Sequence, residues 1–80
     1  MKVKILAFGL AGEVIGKRSL EVELRDNTDT DLLKEHLMMS YPDLRGLLNF
    51  TLAVNQSYIT SAVQLRDGDE VAIIPPVSGG

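Results

Sequence analysis

The order of hydrophobic patterns predicts an α+β domain, with one main helix packed across one face of a mixed sheet. Three observations carry this prediction. Residues 2–8 and 19–24 alternate apolar and polar with the period of a strand. Residues 28–40 read as a capped helix stopped by Pro42. Val71-Ala72-Ile73-Ile74 is an apolar run without interruption, the pattern of a strand buried on both faces in the middle of a sheet.

In the first strand Val3, Ile5 and Ala7 take one face. Lys2 and Lys4 take the other, where Leu6 and Phe8 follow, so the second face turns apolar towards the strand's end. Residues 9–16 hold Gly9, Gly12 and Gly16 among Leu10, Ala11, Val14 and Ile15, which reads as a loop with one helical turn. Leu20, Val22 and Leu24 alternate with Glu21 and Glu23, giving a half-buried strand that pairs with the first as a hairpin. Asp26-Asn27 marks a turn. Thr28 is placed as the helix N-cap, with Asp31 as its capping-box partner. Asp29 and Asp31 suit the positive end of the helix dipole. Leu33, Leu37 and Tyr41 share a helical face, flanked by Leu32 and Met38.

In the connector 43–50, Leu44, Leu47, Leu48 and Phe50 are expected to tuck under the sheet edge. Residues 51–55 form a third strand, Asn55-Gln56-Ser57 a turn, and Tyr58-Ile59 a short edge strand. Arg66-Asp67-Gly68-Asp69 is a tight turn in which Gly68 supplies a positive φ. With the first and last strands side by side and parallel at the centre, this order is the ubiquitin-like β-grasp. Residues 1–74 form the domain and 75–80 an extended tail.

Eighty residues make one domain, and the chain holds no cysteine. It has no disulfide framework, thiolate metal site or cysteine nucleophile. At 45% hydrophobic with mean hydropathy +0.10, it is rich in apolar residues for its size, so some apolar surface is expected to face a partner. No segment has the length of a membrane span or the pattern of a signal peptide, and the expected location is cytoplasmic. A net charge of −3 with scattered basic residues disfavours nucleic acid.

Internal chemistry is weak throughout. The glycines at 9, 12 and 16 fit neither the dinucleotide fingerprint nor the P-loop. His36 stands alone in mid-helix, and without cysteine or a second histidine it implies no metal site. Asp67 and Asp69 are turn residues. Ser57, Ser61 and Ser78 have no partner to activate them. No catalytic constellation survives, so the chain is not expected to be a catalyst by itself. Phe8 reads equally as a core residue or an exposed anchor.

The tail is the informative segment. Pro75-Pro76 stops the last strand and removes two N–H donors. Val77-Ser78-Gly79-Gly80 follows, ending in two residues without side chains that another protein's backbone can approach closely. From Pro75 to Gly80 the tail can reach about 20 Å. This ending suits insertion of a terminal carboxylate into a narrow site, with the Gly80 carboxylate as the reactive group.

The whole chain resembles the small, sulfur-carrying subunits of molybdopterin synthase. The resemblance rests on Val3-Lys4-Ile5-Leu6-Ala7-Phe8 with Glu13 and Gly16, on Thr28-Asp29-Thr30-Asp31-Leu32-Leu33, and on Ala53-Val54-Asn55. Its most specific parts are Asp67-Gly68-Asp69-Glu70-Val71-Ala72 and Pro75-Pro76-Val77-Ser78-Gly79-Gly80. It implies that an ATP-dependent, E1-like enzyme adenylates Gly80 and that a persulfide donor converts it to a thiocarboxylate. The tail (Pro75, Pro76, Val77, Ser78, Gly79) then enters the large synthase subunit of a heterotetramer and delivers sulfur to the pterin precursor. It also implies that Phe8 and Ile74 contact the large subunit, and that the chain binds no cofactor or metal of its own. Many members carry arginine before the glutamate that matches Glu13, as a contact to the activating enzyme; here the position is Gly12. A thiamine-type sulfur carrier and a ubiquitin-like modifier conjugated through Gly80 are the alternatives.

Overall fold

The computed structural model describes residues 1–47 and 50–75. The elements run β1 (Lys2–Ala7), α1 (Leu10–Ile15), β2 (Ser19–Glu23), α2 (Thr30–Ser40), a 3-10 helix (Pro42–Gly46), β3 (Thr51–Val54), β4 (Ser57–Tyr58) and β5 (Glu70–Ile74). The sheet order is β2-β1-β5-β3-β4. β1 and β5 are parallel, with Leu6 opposite Ala72, and the other neighbours are antiparallel. This is the expected β-grasp arrangement, with the first and last strands adjacent and flanked on both sides. Leu48 lies outside the described residues, as do Pro76, Val77, Ser78, Gly79 and Gly80.

The core follows from strand alternation. Val3, Ile5 and Ala7 of β1 and Val71 and Ile73 of β5 point to one face, where Leu33 and Leu37 of α2 join them. Ala11 and Ile15 of α1 and Leu44 of the 3-10 helix complete the same cluster. The segment 9–16 is therefore more regular than its glycines foretold. A six-residue helix forms because Gly9 (φ 55) and Gly16 (φ 83) supply the turns at its two ends, while Ala11 and Ile15 are held by the core.

Two further expectations change. The N-cap of α2 is Asp29, whose Oδ1 accepts from the Leu32 amide at 2.9 Å. Thr28 Oγ1 donates instead to the Arg25 carbonyl. The cause is tertiary. The Leu65 amide donates to the Thr28 carbonyl and Asp29 bridges Gln64, which keeps this backbone extended one residue longer. Asp31 thereby loses the spacing of a capping box. β5 is central as expected, yet it is buried on one face only. Glu70, Ala72 and Ile74 are half-buried, because both described α-helices contribute to the cluster on the opposite face.

The Arg66–Asp69 turn explains why carboxylates stand there. Asp67 Oδ1 accepts from the Lys2 amide at 2.7 Å, and the Gly68 amide donates to the Lys2 carbonyl at 2.8 Å. Asp69 Oδ2 accepts from the Arg66 amide, and its Oδ1 accepts from Asn55 Nδ2 at 3.0 Å. Asn55 Oδ1 in turn accepts from the Glu70 amide at 3.0 Å. The start of β1, the β3–β4 turn and the start of β5 are thus tied together. These carboxylates accept structural hydrogen bonds, which agrees with the sequence reading of them as turn residues.

Stability should separate the two faces. Ile73 is fully buried, so Ile73→Ala should cost about 2–5 kcal/mol in urea unfolding. Phe8 is exposed, so Phe8→Ala should stay within about 0.5 kcal/mol of the wild type. Asn55 holds φ 49 as well as two side-chain bonds. Melting temperatures should therefore fall in the order wild type, Asn55→Gly, Asn55→Ala, because glycine forfeits only the bonds while alanine also strains the backbone; the alanine loss should be about 1–2 kcal/mol.

Candidate functional site: the open face of the sheet

Register builds the site. On the face away from the core, Leu6, Ala72, Ala53 and Tyr58 form one row across four strands. Beside it, Ile74 pairs with Thr51, and Phe8 follows the end of β1. Two alanines at the centre of the row form a low floor. Leu6, Phe8, Ile74 and Tyr58 rise around it, and Gln56 and Glu70 close the polar end. The concavity holds about 290 Å³, at the bottom of the range for small-molecule pockets of about 300–1,000 Å³ and suited to receiving a side chain or two of another protein.

Charge is sorted along the same face. Lys4 stands opposite Glu21 and Glu70, and Lys2 opposite Glu23, at the end where β5 begins. The apolar residues gather at the other end, where β5 finishes at Ile74 and the chain passes into Pro75. Phe8 is 53% exposed and Tyr58 74% exposed. Two large aromatic side chains left in water next to half-buried aliphatics are not core packing. Of the two readings open for Phe8, the structure selects the exposed one.

The sequence-predicted residues divide accordingly. Phe8 and Ile74 line one concavity. Pro75 is half-buried at its margin. Gly80 and the tail residues Pro76, Val77, Ser78 and Gly79 lie outside the described residues. His36 is exposed on α2, and Ser57 and Ser61 are exposed on the surface. Among the described residues no cluster of histidine and carboxylate side chains could hold a metal ion, and no helix is long and apolar enough to cross a membrane. What the open face can do is bind. Sequence reasoning singled out neither Tyr58 nor the alanine floor. The available signal was a small residue at the centre of both β3 and β5, flanked by larger apolar ones.

The comparisons agree with this geometry. The chain is 39% identical over 83 residues to the molybdopterin synthase sulfur carrier subunit of Chlamydomonas reinhardtii, covering the whole of both chains. A Pyrococcus furiosus protein assigned as molybdopterin converting factor subunit 1 superposes with a TM-score of 0.87 at 26% identity, over 96% of this chain and 99% of that one. A chain from the complex of subunits 1 and 2 of the molybdopterin-converting factor of Helicobacter pylori superposes with a TM-score of 0.70 at 27% identity, over all of both chains. The ThiS family model matches residues 5–80. With nearly the whole chain matched, and its fold shared with these proteins, the chain belongs to the ThiS family.

Proposed function

We propose that this protein is the sulfur-carrier subunit of a molybdopterin synthase, with the carboxylate of Gly80 as its working group. The observation that supports the reading most is the pairing of an apolar docking face with the root of a Gly-Gly tail. Phe8 and Ile74 share one concavity, and the chain leaves β5 beside it. Its similarity to a subunit of a two-component complex supports a large-subunit partner on that face.

The division of labour follows from chemistry. A carboxylate is a poor electrophile, so an E1-like enzyme uses ATP to form an acyl-adenylate on Gly80 and release pyrophosphate. The terminal sulfur of a persulfide donor then displaces AMP. Reductive cleavage of the resulting acyl disulfide by a thiol leaves a thiocarboxylate. Inserted into the large subunit, the tail delivers that sulfur to the pterin precursor. Two carriers serve one dithiolene, which has two sulfurs. The carrier supplies reach and docking, the large subunit supplies the catalytic side chains, and all of these steps belong in the cytoplasm.

Four measurements test the reading. With its activating enzyme, ATP and a sulfur donor, the intact mass of the chain should rise by the difference between one sulfur and one oxygen, located at Gly80. An unchanged mass with a competent enzyme sinks the proposal. Deleting Gly79-Gly80 should abolish sulfur delivery while leaving the melting temperature unchanged; persisting delivery would mean an inert tail. Recovery of the chain in isopeptide links to lysines, without a synthase partner, would favour the modifier alternative. Rescue of thiamine rather than molybdenum-cofactor synthesis would favour the thiamine-type carrier.

A further inference from the structure

The seam between α1 and β1 contains an approach that only glycine permits. A Cβ built on Gly12 would stand 2.8 Å from the Ala7 carbonyl oxygen, 3.6 Å from the Ala7 carbonyl carbon and 3.6 Å from the Lys17 carbonyl oxygen. The first distance lies well inside van der Waals contact, and the atom it meets is backbone. The strand cannot yield. Ala7 is buried, its amide donates to the Arg18 carbonyl at 2.8 Å, and it is in register with Ile73 of β5. Any side chain at position 12 must therefore lift α1.

Lifting α1 acts on Phe8 from both sides. The peptide that joins Ala7 to Phe8 carries the oxygen that faces Gly12. The Phe8 carbonyl accepts from the Ala11 amide at 3.1 Å, so it is tied to the same helix. Gly9 follows with φ 55, a turn that does not suit other residues. Ala11 and Ile15 seat the helix in the same core cluster as Ala7. Phe8 is thus held between a strand that is fixed and a helix whose height is set by the missing Cβ.

We propose that Gly12 is the positioning residue of the Phe8 anchor, setting the seat of α1 on β1 and thereby the direction in which the ring projects beside Ile74. The inference rests on the docking of a large synthase subunit on the open face.

The test is a double-mutant cycle read as affinity for the protein's own large subunit by titration calorimetry. Phe8→Leu serves as the second background because it retains apolar contact and measurable binding. Gly12→Ala should weaken binding about fivefold in the wild-type background and less than about twofold with Phe8→Leu, the signature of coupled sites. Gly12→Arg should weaken it at least as much. Thermal melts accompany each variant, since a general loss of fold would act equally in both backgrounds. Should Gly12→Ala fail to fold, Ala11→Gly loosens the same seat without a clash, and its effect should show the same dependence on Phe8. Wild-type affinity in Gly12→Ala, or an equal loss in both backgrounds, overturns the inference and leaves the docking reading standing. Absence of binding by the wild-type chain sinks the docking reading itself.

Discussion

The parallel pairing of β1 with β5 is the constraint from which the rest of the molecule follows. Parallel neighbours finish at the same end of a sheet. Phe8, which follows β1, and Pro75, which follows β5, therefore emerge side by side although 67 positions separate them in the chain. An antiparallel arrangement of the same strands would put Phe8 and Pro75 at opposite ends. The pairing is held at its start by backbone and carboxylate bonds from the Asp67-Gly68-Asp69 turn to Lys2 and Lys4. The polar clamp at one end thus determines what meets at the other.

Parallel strands joined through the body of the chain also need a crossover, and here it carries the helices. The crossover lies on one side, where Leu33, Leu37, Ala11, Ile15 and Leu44 fill the core. Among the described residues, no helix covers the opposite face. In a chain of 80 residues this is a division of surface rather than a flaw of packing. One face holds the protein together, and the other carries the exposed Phe8 and Tyr58. The low row of Ala72 and Ala53 between Leu6 and Tyr58 gives that face its shape, and sorted charge gives it a polar end and an apolar end.

Much of this was legible in the sequence because it is written locally. Alternation over 2–8 and 19–24 marked the hairpin, Pro42 marked the end of α2, and Asp-Gly-Asp marked a turn. The errors share one origin. Thr28 lost the N-cap to Asp29 because Gln64 and Leu65 hold the preceding backbone extended. The stretch after β1 became a helix because the core claims Ala11 and Ile15. β5 read as buried on both faces, since a run of apolar residues does not reveal that only one face is covered. In each case the deciding contact lies in a distant segment that the local pattern does not reveal.

The sequence by itself determined the kinds of element, their order, the turn chemistry and the unusual composition of the tail. These depend on periodicity and on backbone preferences that neighbouring residues reveal. Only the tertiary structure decided that Phe8 stands in solvent, that Ala53 and Ala72 lie in one row with Tyr58, and that Gly12 rests against the carbonyl of Ala7. Those facts are relations between segments brought together by strand register and by the seat of one helix. A residue's neighbours across a sheet are set by the global balance of burial, and no window of the chain contains them.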